Sequence, residues 1–309
     1  MSRNGSVVLG TRGSKLALVQ ANACAESLRA AGLDVEVRVI KTTSEQLPDV
    51  PLWVIDRRDV FTRQLDEALL AGEIDLAVHS LKDVPTELPD GIVLAAISER
   101  HDPSDALVSD GGYTVDGLPR GAVVATSSVR RRSQLLNRRP DLDIVEIRGN
   151  VDTRVRKMRS GAADALVLAR AGLQRLGLDA EVPHTVLGPE TMLSAVGQGA
   201  LAVATLADHP LRGKIRAALN HEPSEVAART ERALLNELEG GCRVPVGALA
   251  SVGEAGIRLQ GLVASPDGAL LYRDEAEGDE AEEVGRRLAQ ELLGRGAGLI
   301  LDEIREVRR

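Results

Sequence analysis

The sequence predicts an α/β protein with two lobes built on mixed sheets, followed by a small α+β domain at the C-terminal end. Over the first two-thirds of the 309 residues, short apolar runs alternate with amphipathic stretches of helical length, as in parallel or mixed sheets covered by helices. After about residue 218 the pattern changes to a helix, three alternating strand-like runs and two more helices. A chain of this length can form two or three separate cores.

Each predicted element follows from its apolar periodicity and from the residues at its ends. In the first lobe, the predicted strands are 7–10, 35–40, 74–78 and 92–97, and the predicted helices are 14–31 and 61–71. Ser14 is a candidate N-cap of the first helix, and Gly32 follows its last turn, where glycine commonly ends a helix. In the second lobe, the predicted strands are 122–125, 143–147 and 164–168, and the predicted helices are 128–139 and 151–160. In the C-terminal domain, the predicted strands are 246–251, 257–264 and 269–273, and the predicted helices are 222–238, 279–294 and 297–307.

These elements predict three domains, the first of them made from two separate stretches of the chain. We expect a first lobe of residues 1–98 with 199–218, a second lobe of residues 102–195, and a C-terminal domain of residues 220–309. The polar residues 99–104 look like a crossing between the lobes. Residues 41–60 contain two prolines and four consecutive charged residues, so we expect a long loop. Long loops of this kind often lie over a binding site.

The composition excludes several classes of protein. A net charge of −8 argues against a general nucleic-acid binder, and an aromatic content of 1% argues against base stacking. No apolar run reaches membrane-spanning length, and the N-terminus shows no apolar signal region, so we expect no membrane and a cytoplasmic protein. The two cysteines, Cys24 and Cys242, lack metal-type spacing and fit a reducing compartment, so no metal site is expected.

Arginines gather at three polar turns, each between a strand-like run and a predicted helix. The turns are Thr11-Arg12-Gly13-Ser14, Thr126-Ser127-Ser128-Val129-Arg130-Arg131-Arg132 and Arg148-Gly149-Asn150-Val151-Asp152-Thr153-Arg154. A helix N-terminus carries partial positive charge, so a cation beside it is unfavourable. The arrangement becomes favourable when an anion is bound there by the backbone N–H groups and the guanidinium groups. The three turns therefore predict a ligand with several carboxylates or phosphates.

Asp83 is the leading candidate for chemistry at a strand end. It follows a predicted strand that ends near His79 and Ser80, and ligands of open α/β sheets bind at the carboxyl ends of strands. A solvated turn carboxylate before Pro85 is at least as good an interpretation of this segment alone. A hydrolase triad is poorly supported, because there is no Gly-x-Ser-x-Gly segment.

Cys242 is the candidate reactive thiol. It follows two glycines, which free the backbone around it, and it precedes Arg243, whose charge favours the thiolate. The alternative is a small core residue, the commoner role of an isolated cysteine and the role expected for Cys24 within helix 14–31.

Six segments together resemble the porphobilinogen deaminase (hydroxymethylbilane synthase) family, over essentially the whole chain. Besides the stretches Thr11–Ser14, Thr126–Arg131 and Arg148–Val151, they are Ala77–Pro85, Ala195–Ala200 and Glu239–Pro245. The resemblance implies a transferase of tetrapyrrole and haem biosynthesis. It would condense four porphobilinogen molecules head to tail, release ammonia and form hydroxymethylbilane, which uroporphyrinogen III synthase would receive. It also implies a monomer, and the two lobes would be similar to those of periplasmic binding proteins.

The resemblance also assigns residues to this activity. Asp83 would be the catalytic carboxylate, and Cys242 would hold a covalent dipyrromethane cofactor through a thioether bond. The cofactor would also be bound by Lys82, Ser128, Arg130, Arg131, Arg148 and Arg154. The substrate would be bound by Arg12, Ser14, Arg148, Arg154, Arg175, Gln198 and Arg58. Arginine forks suit the acetate and propionate groups of pyrrole rings.

The predicted loop departs from the family's pattern. A glycine–lysine–glycine run is usual before the position of Phe61, whereas this chain has Arg57-Arg58-Asp59 followed by Val60, and a usual glycine–aspartate is Ser44-Glu45. At another position, where the family usually has a basic residue, this chain has Val54. Losing glycines restricts the backbone, so loop motion or turnover could differ from typical members. Two alternatives therefore stay open: a relative that binds the cofactor but elongates poorly, and a non-catalytic two-lobed carboxylate-binding protein.

Overall fold

A computed structural model describes residues 6–41, 62–238 and 244–306. Cys242, Arg58 and nearly all of the predicted loop 41–60 lie outside the described residues. Contacts within the chain divide it into two units, Met1–Arg100 with Ala200–Glu225 and His101–Gly199 with Val226–Arg309. The three-domain boundaries expected from the sequence stay a prediction.

The described chain alternates strands and helices through most of its length. The strands are β1 Val7–Thr11, β2 Val35–Val39, β3 Leu76–Ser80, β4 Ile92–Ile97, β5 Asp105–Val108, β6 Val123–Ala125, β7 Asp143–Val145, β8 Ala165–Ala169, β9 His184–Leu187, β10 Leu201–Leu206, β11 Val246–Gly253, β12 Gly256–Ala264 and β13 Leu271–Gly278. The helices are α1 Lys15–Ala30, α2 Arg63–Leu70, α3 Val129–Arg138, α4 Val151–Lys157, α5 Arg170–Arg175, α6 Arg212–Leu219, α7 Glu222–Glu237, α8 Ala281–Leu292 and α9 Gly298–Glu306. A 3-10 turn, Leu81–Asp83, directly follows β3.

The first unit is built on a mixed five-stranded sheet in the order β2-β1-β3-β10-β4. Strand β1 runs parallel to β2 and β3, whereas β10, which follows the other four strands in the chain, lies between β3 and β4 and runs antiparallel to both. One face of the sheet packs through Leu9 and Leu76 against Cys24 and Leu28 of α1, so the interpretation of Cys24 as a core residue is confirmed. The opposite face packs against α2.

The second unit contains a mixed sheet in the order β7-β6-β8-β5-β9 and an antiparallel sheet in the order β11-β12-β13. Strand β5 is antiparallel to both β8 and β9, while β6 is parallel to β7 and β8. Apolar residues of β11 and β12 pack with residues of α7, α8 and α9 in one core. The predicted α/β class with mixed sheets and a further α+β part is confirmed.

Among the strands and α-helices of the described residues, the sequence prediction missed five: β5, β9, β10, α5 and α6. The strands β5 and β9 have only four residues each, and β5 begins with the charged residue Asp105, which weakens an apolar pattern. The helix α5 has six residues. Elements this short take their conformation from their neighbours in the fold, so their own periodicity says little.

Candidate active site

Arg12 and Asp83 form the centre of the candidate site in the first unit. Their parent strands, β1 and β3, are parallel neighbours, so the carboxyl ends of both strands lie at one edge of the sheet. Arg12 directly follows β1, and Asp83 closes the 3-10 turn after β3. The Arg12 Nη2 atom lies 3.8 Å from the Asp83 Oδ2 atom, and the side chains are 21% and 24% exposed. The sheet therefore brings a half-buried cation and a half-buried carboxylate together at its edge.

The turn that carries Asp83 is fixed by backbone contacts within the same unit. The N–H of Leu81 donates to the carbonyl of Ala200 at 3.0 Å, and the N–H of Val84 donates to the carbonyl of Leu81, also at 3.0 Å. Lys82, between Leu81 and Asp83, is half-buried. The geometry at Asp83 thus depends on the chain that returns in β10.

His79 is buried in β3, four residues before Asp83. Burial and, to a smaller extent, the nearby charge of Arg12 lower its pKa to about 4, against a weaker opposing effect of Asp83. The imidazole is therefore neutral at pH 7, so it adds no charge to the Arg12–Asp83 pair.

Ser14 is the N-cap of α1, as expected from the sequence. Its hydroxyl accepts a hydrogen bond from the N–H of Ala17 at 3.3 Å. One turn further, the buried Gln20 donates from Nε2 to the hydroxyl of Ser80 at 3.0 Å. These contacts tie the beginning of α1 to the carboxyl end of β3, beside the turn that contains Asp83.

Arg130 and Arg131, in the second unit, were expected to hold an anionic ligand at the helix start, and in the structure both side chains are buried against a carboxylate of the protein. They are 5% and 7% exposed, and both contact the carboxylate of Asp105. Arg130 Nη2 donates to Asp105 Oδ2 at 2.8 Å, and Arg131 donates to Asp105 Oδ1 from Nη2 at 2.7 Å and from Nε at 3.1 Å. Gln198 Nε2 donates to the same Oδ1 atom at 2.9 Å. Ser128 caps this helix by accepting from the N–H of Arg131 at 3.5 Å.

Asp105 was missed by the sequence interpretation. The one signal that could have found it is a carboxylate at the start of the apolar run Ala106–Val108, where a buried charge requires a partner. Burial alone would raise the pKa of Asp105. The charges of Arg130 and Arg131 and the hydrogen bonds from Arg131 and Gln198 outweigh that effect and hold the pKa well below its ordinary value.

Arg148, Arg154 and Arg175 are half-buried. Arg148 Nε lies 3.2 Å from Glu146 Oε1, and Arg154 Nε donates to the carbonyl of Gly149 at 2.7 Å. Gly149 has a φ of +113°, so a larger residue would strain the turn between Arg148 and α4.

Arg175 reaches the turn that precedes β10. Its Nη2 atom donates to the carbonyl of Gly199 at 2.6 Å, next to Gln198. Gln198 in turn donates to Asp105 and, at 2.6 Å, to the carbonyl of Pro103. The structure thus brings Gln198 together with Arg130 and Arg131, which were interpreted separately in the sequence.

Over the residues that the structure describes, no group of three or more His, Cys, Asp or Glu side chains is arranged to hold a metal ion. Within the same ranges, no helix has the length and apolar content needed to cross a membrane.

Comparisons with known proteins agree with the motifs. The family description "Porphobilinogen deaminase, dipyromethane cofactor binding domain" matches residues 7–212, and "Porphobilinogen deaminase, C-terminal domain" matches residues 226–294. A porphobilinogen deaminase of Rubrobacter xylanophilus is 67% identical over 98% of this chain and 99% of its own length. One of Desulforudis audaxviator is 48% identical over 97% of this chain and 98% of its own length. Among solved structures, the methionine binding protein MetQ matches 74% of this chain and 95% of its own, with 16% identity and a TM-score of 0.45.

Proposed function

The chain belongs to the porphobilinogen deaminase family, and we propose that Asp83 is its catalytic carboxylate and that Cys242 carries its cofactor. The protein is a transferase of tetrapyrrole biosynthesis, which condenses four porphobilinogen molecules with release of ammonia to form hydroxymethylbilane. Its cofactor is dipyrromethane. Family membership favours this activity over the two alternatives left open by the sequence.

The observation that supports Asp83 is its position beside Arg12 at the carboxyl edge of the first sheet, 3.8 Å from that guanidinium. The reaction needs a proton for the departing amino group and a negative charge for the cation left on the pyrrole. A half-buried carboxylate supplies both needs, because it can hold or release a proton and can stabilise a cation at short range. Arg12 stands where it can hold a carboxylate of the same substrate.

The remaining cations suit the acidic side chains of pyrrole rings. We assign cofactor binding to Lys82, Ser128, Arg130, Arg131, Arg148 and Arg154, and substrate binding to Arg12, Ser14, Arg148, Arg154, Arg175, Gln198 and Arg58. Guanidinium groups fit carboxylates with two parallel hydrogen bonds, and half-burial strengthens that attraction relative to water.

A dipyrromethane bound to Cys242 supplies the primer on which the chain of pyrroles grows. The donor set of the described residues fits such a group, because it is rich in guanidinium and hydroxyl donors for carboxylates and contains one carboxylate for a cationic centre. In the sequence, Cys242 lies between α7 and β11, after two glycines that allow its sulfur to be reached.

The differences from the family's pattern in loop 41–60 concern the rate of turnover and not the class of reaction. Arg58 retains a cation at the usual lysine position, so we propose that it still contacts substrate and that the loss of the glycines changes turnover relative to typical members. We also propose a cytoplasmic location and transfer of the product to uroporphyrinogen III synthase.

Intact-mass measurement of the freshly purified full chain tests the cofactor assignment. We expect a covalent adduct of two pyrrole units on the wild type and on Cys24→Ser, which serves as the matched control, but none on Cys242→Ser. An adduct that persists in Cys242→Ser would refute the attachment site. Adding porphobilinogen to the same samples and following ammonia release and bilane formation then separates a normal enzyme from a relative that elongates poorly.

A further inference from the structure

Asp105 is a fully buried carboxylate that joins three of the residues assigned to the ligand. Its oxygens accept four hydrogen bonds, from Arg130, Arg131 and Gln198, at distances between 2.7 and 3.1 Å. Arginine side chains are long and lose much conformational freedom when they are fixed. Asp105 therefore holds both guanidinium planes in place before any ligand arrives.

Asp105 also sets the charge of this cluster. Arg130 and Arg131 contribute two positive charges, Asp105 contributes one negative charge, and Gln198 is neutral, so the four side chains carry one net positive charge. Each of the four is less than a tenth exposed. A net charge in such a place favours the binding of one further anion, because water is too distant to solvate it well.

The cluster is fixed to the chain segment that leads into the Gly197 turn. Arg130 Nη1 donates to the carbonyl of Leu193 at 2.6 Å. From the next turn of α3, Gln134 accepts from the N–H of Leu193 at 2.7 Å and donates to its carbonyl at 3.1 Å. The backbone of Leu193 and the guanidinium of Arg130 therefore cannot move independently.

The same segment is connected to the elements that flank the cofactor cysteine in the sequence. Glu231 of α7 is fully buried, and its two oxygens accept from the N–H of Gly197 at 2.7 Å and from the N–H of Ala250 in β11 at 2.8 Å. The segment that contains Cys242 runs from α7 to β11. Within the second unit, a continuous set of buried contacts thus links Arg130 and Arg131 to both flanks of that segment.

We propose that Asp105 is a positioning residue for the reaction: it fixes Arg130 and Arg131 and lowers the charge of that pair to one, so that the pair neutralises a single carboxylate of the cofactor. The inference rests on the proposed function, because it takes these two arginines to contact the cofactor. It adds a residue and a charge count that the family resemblance does not supply.

The test compares the cofactor-free and cofactor-loaded forms of the full chain. The cofactor-free form is produced in cells that lack porphobilinogen, and intact mass confirms each form. The Tm of both forms is measured for the wild type, for Asp105→Asn and for Asp141→Asn. Asp141 is the matched control, since it pairs with Arg139 through two hydrogen bonds of 2.7 and 2.8 Å just past the C-terminal end of α3.

We expect Asp105→Asn to lower the Tm of the cofactor-free form by about 10 °C, because two buried guanidiniums then lack a counter-charge. The cofactor-loaded form should lose markedly less, since a ligand carboxylate takes the place of the lost charge. The difference in Tm between the two forms therefore widens in Asp105→Asn and stays at the wild-type value in Asp141→Asn. Equal losses in the two forms of Asp105→Asn would overturn the proposal.

Asp105→Glu provides a second test if Asp105→Asn yields no folded cofactor-free protein. It keeps the charge but moves the carboxylate, so we expect the rate of adduct formation from porphobilinogen to fall at least about tenfold. An unchanged rate would overturn the positioning role. A wild type without an adduct on Cys242 would count against the proposed function, whereas a wild type with the adduct and an unchanged variant counts against this inference alone.

Discussion

Replacing Asp83 by asparagine removes the charge of the proposed catalytic carboxylate and keeps the shape of the side chain. The position of Arg12 shows how closely a cation approaches this group, since the nitrogen and oxygen atoms are 3.8 Å apart. A cationic reaction centre at that distance would interact with the carboxylate by about 4 kcal/mol at an effective dielectric constant of about 20. Losing this interaction in the transition state lowers turnover roughly a thousandfold.

The assay measures hydroxymethylbilane formation from porphobilinogen by the full chain, with intact mass as a separate readout. Asp83→Asn should fold and keep the covalent adduct, because the change concerns the reaction rather than the attachment of the cofactor. Asp90→Asn is the control, as an exposed carboxylate of the same unit, and should be unaffected. A decrease of less than about fivefold in Asp83→Asn would refute the electrostatic argument, since that is near the effect expected in bulk water.

Three further predictions concern other parts of the site. Arg148→Leu removes a half-buried cation and should slow cofactor assembly or raise the KM for porphobilinogen about tenfold to a hundredfold, measured by adduct formation and steady-state kinetics. Ser14→Ala removes the N-cap of α1 and should lower the free energy of unfolding by about 1 kcal/mol in denaturant titrations. His79 has its pKa lowered to about 4 by burial and by Arg12, so below pH 6.5 the unfolded chain binds a proton that the folded chain resists. Stability should therefore fall by about 3 kcal/mol in total between pH 6.5 and pH 4, and this contribution should disappear in His79→Gln.

Each of these predictions has an internal control. Arg156→Leu removes an exposed arginine from α4 and should leave assembly and KM unchanged; an equal effect in both arginine variants would refute a specific role of Arg148. Ser27→Ala, on the exposed face of α1, should change stability by less than about 0.5 kcal/mol. An identical pH dependence of stability in the wild type and in His79→Gln would contradict the assignment of that slope to His79.

The parts of the fold that depend on near neighbours could be predicted from the sequence. The N-cap of Ser14 depends on residues within one helical turn, and the inward position of Cys24 follows from the apolar periodicity of α1, so both were predicted. Strand β10 was missed, because what makes it a strand is its insertion between β3 and β4, which are more than a hundred residues earlier in the chain. An apolar run alone does not state with which strands it will pair.

The candidate site divides in the same way. Residue type and position made the arginine turns, Asp83 and Cys242 candidates, and the resemblance carried by six short segments in order gave each of them its proposed role. The state of Arg130 and Arg131 was not found. Their pattern at a helix start predicted that they hold an anionic ligand, but it did not predict the buried carboxylate of Asp105 that both of them contact.

The sequence by itself determined the family and the α/β class, and it supplied the proposal for most site residues, because motifs and periodicity are local properties of the chain. The tertiary structure decided which charged side chains are in contact. The contacts of Asp105 with Arg130, Arg131 and Gln198 join residues that are 25, 26 and 93 positions apart. Such pairs form only when folding removes both partners from water, and a buried charge is stable only where its partner arrives with it.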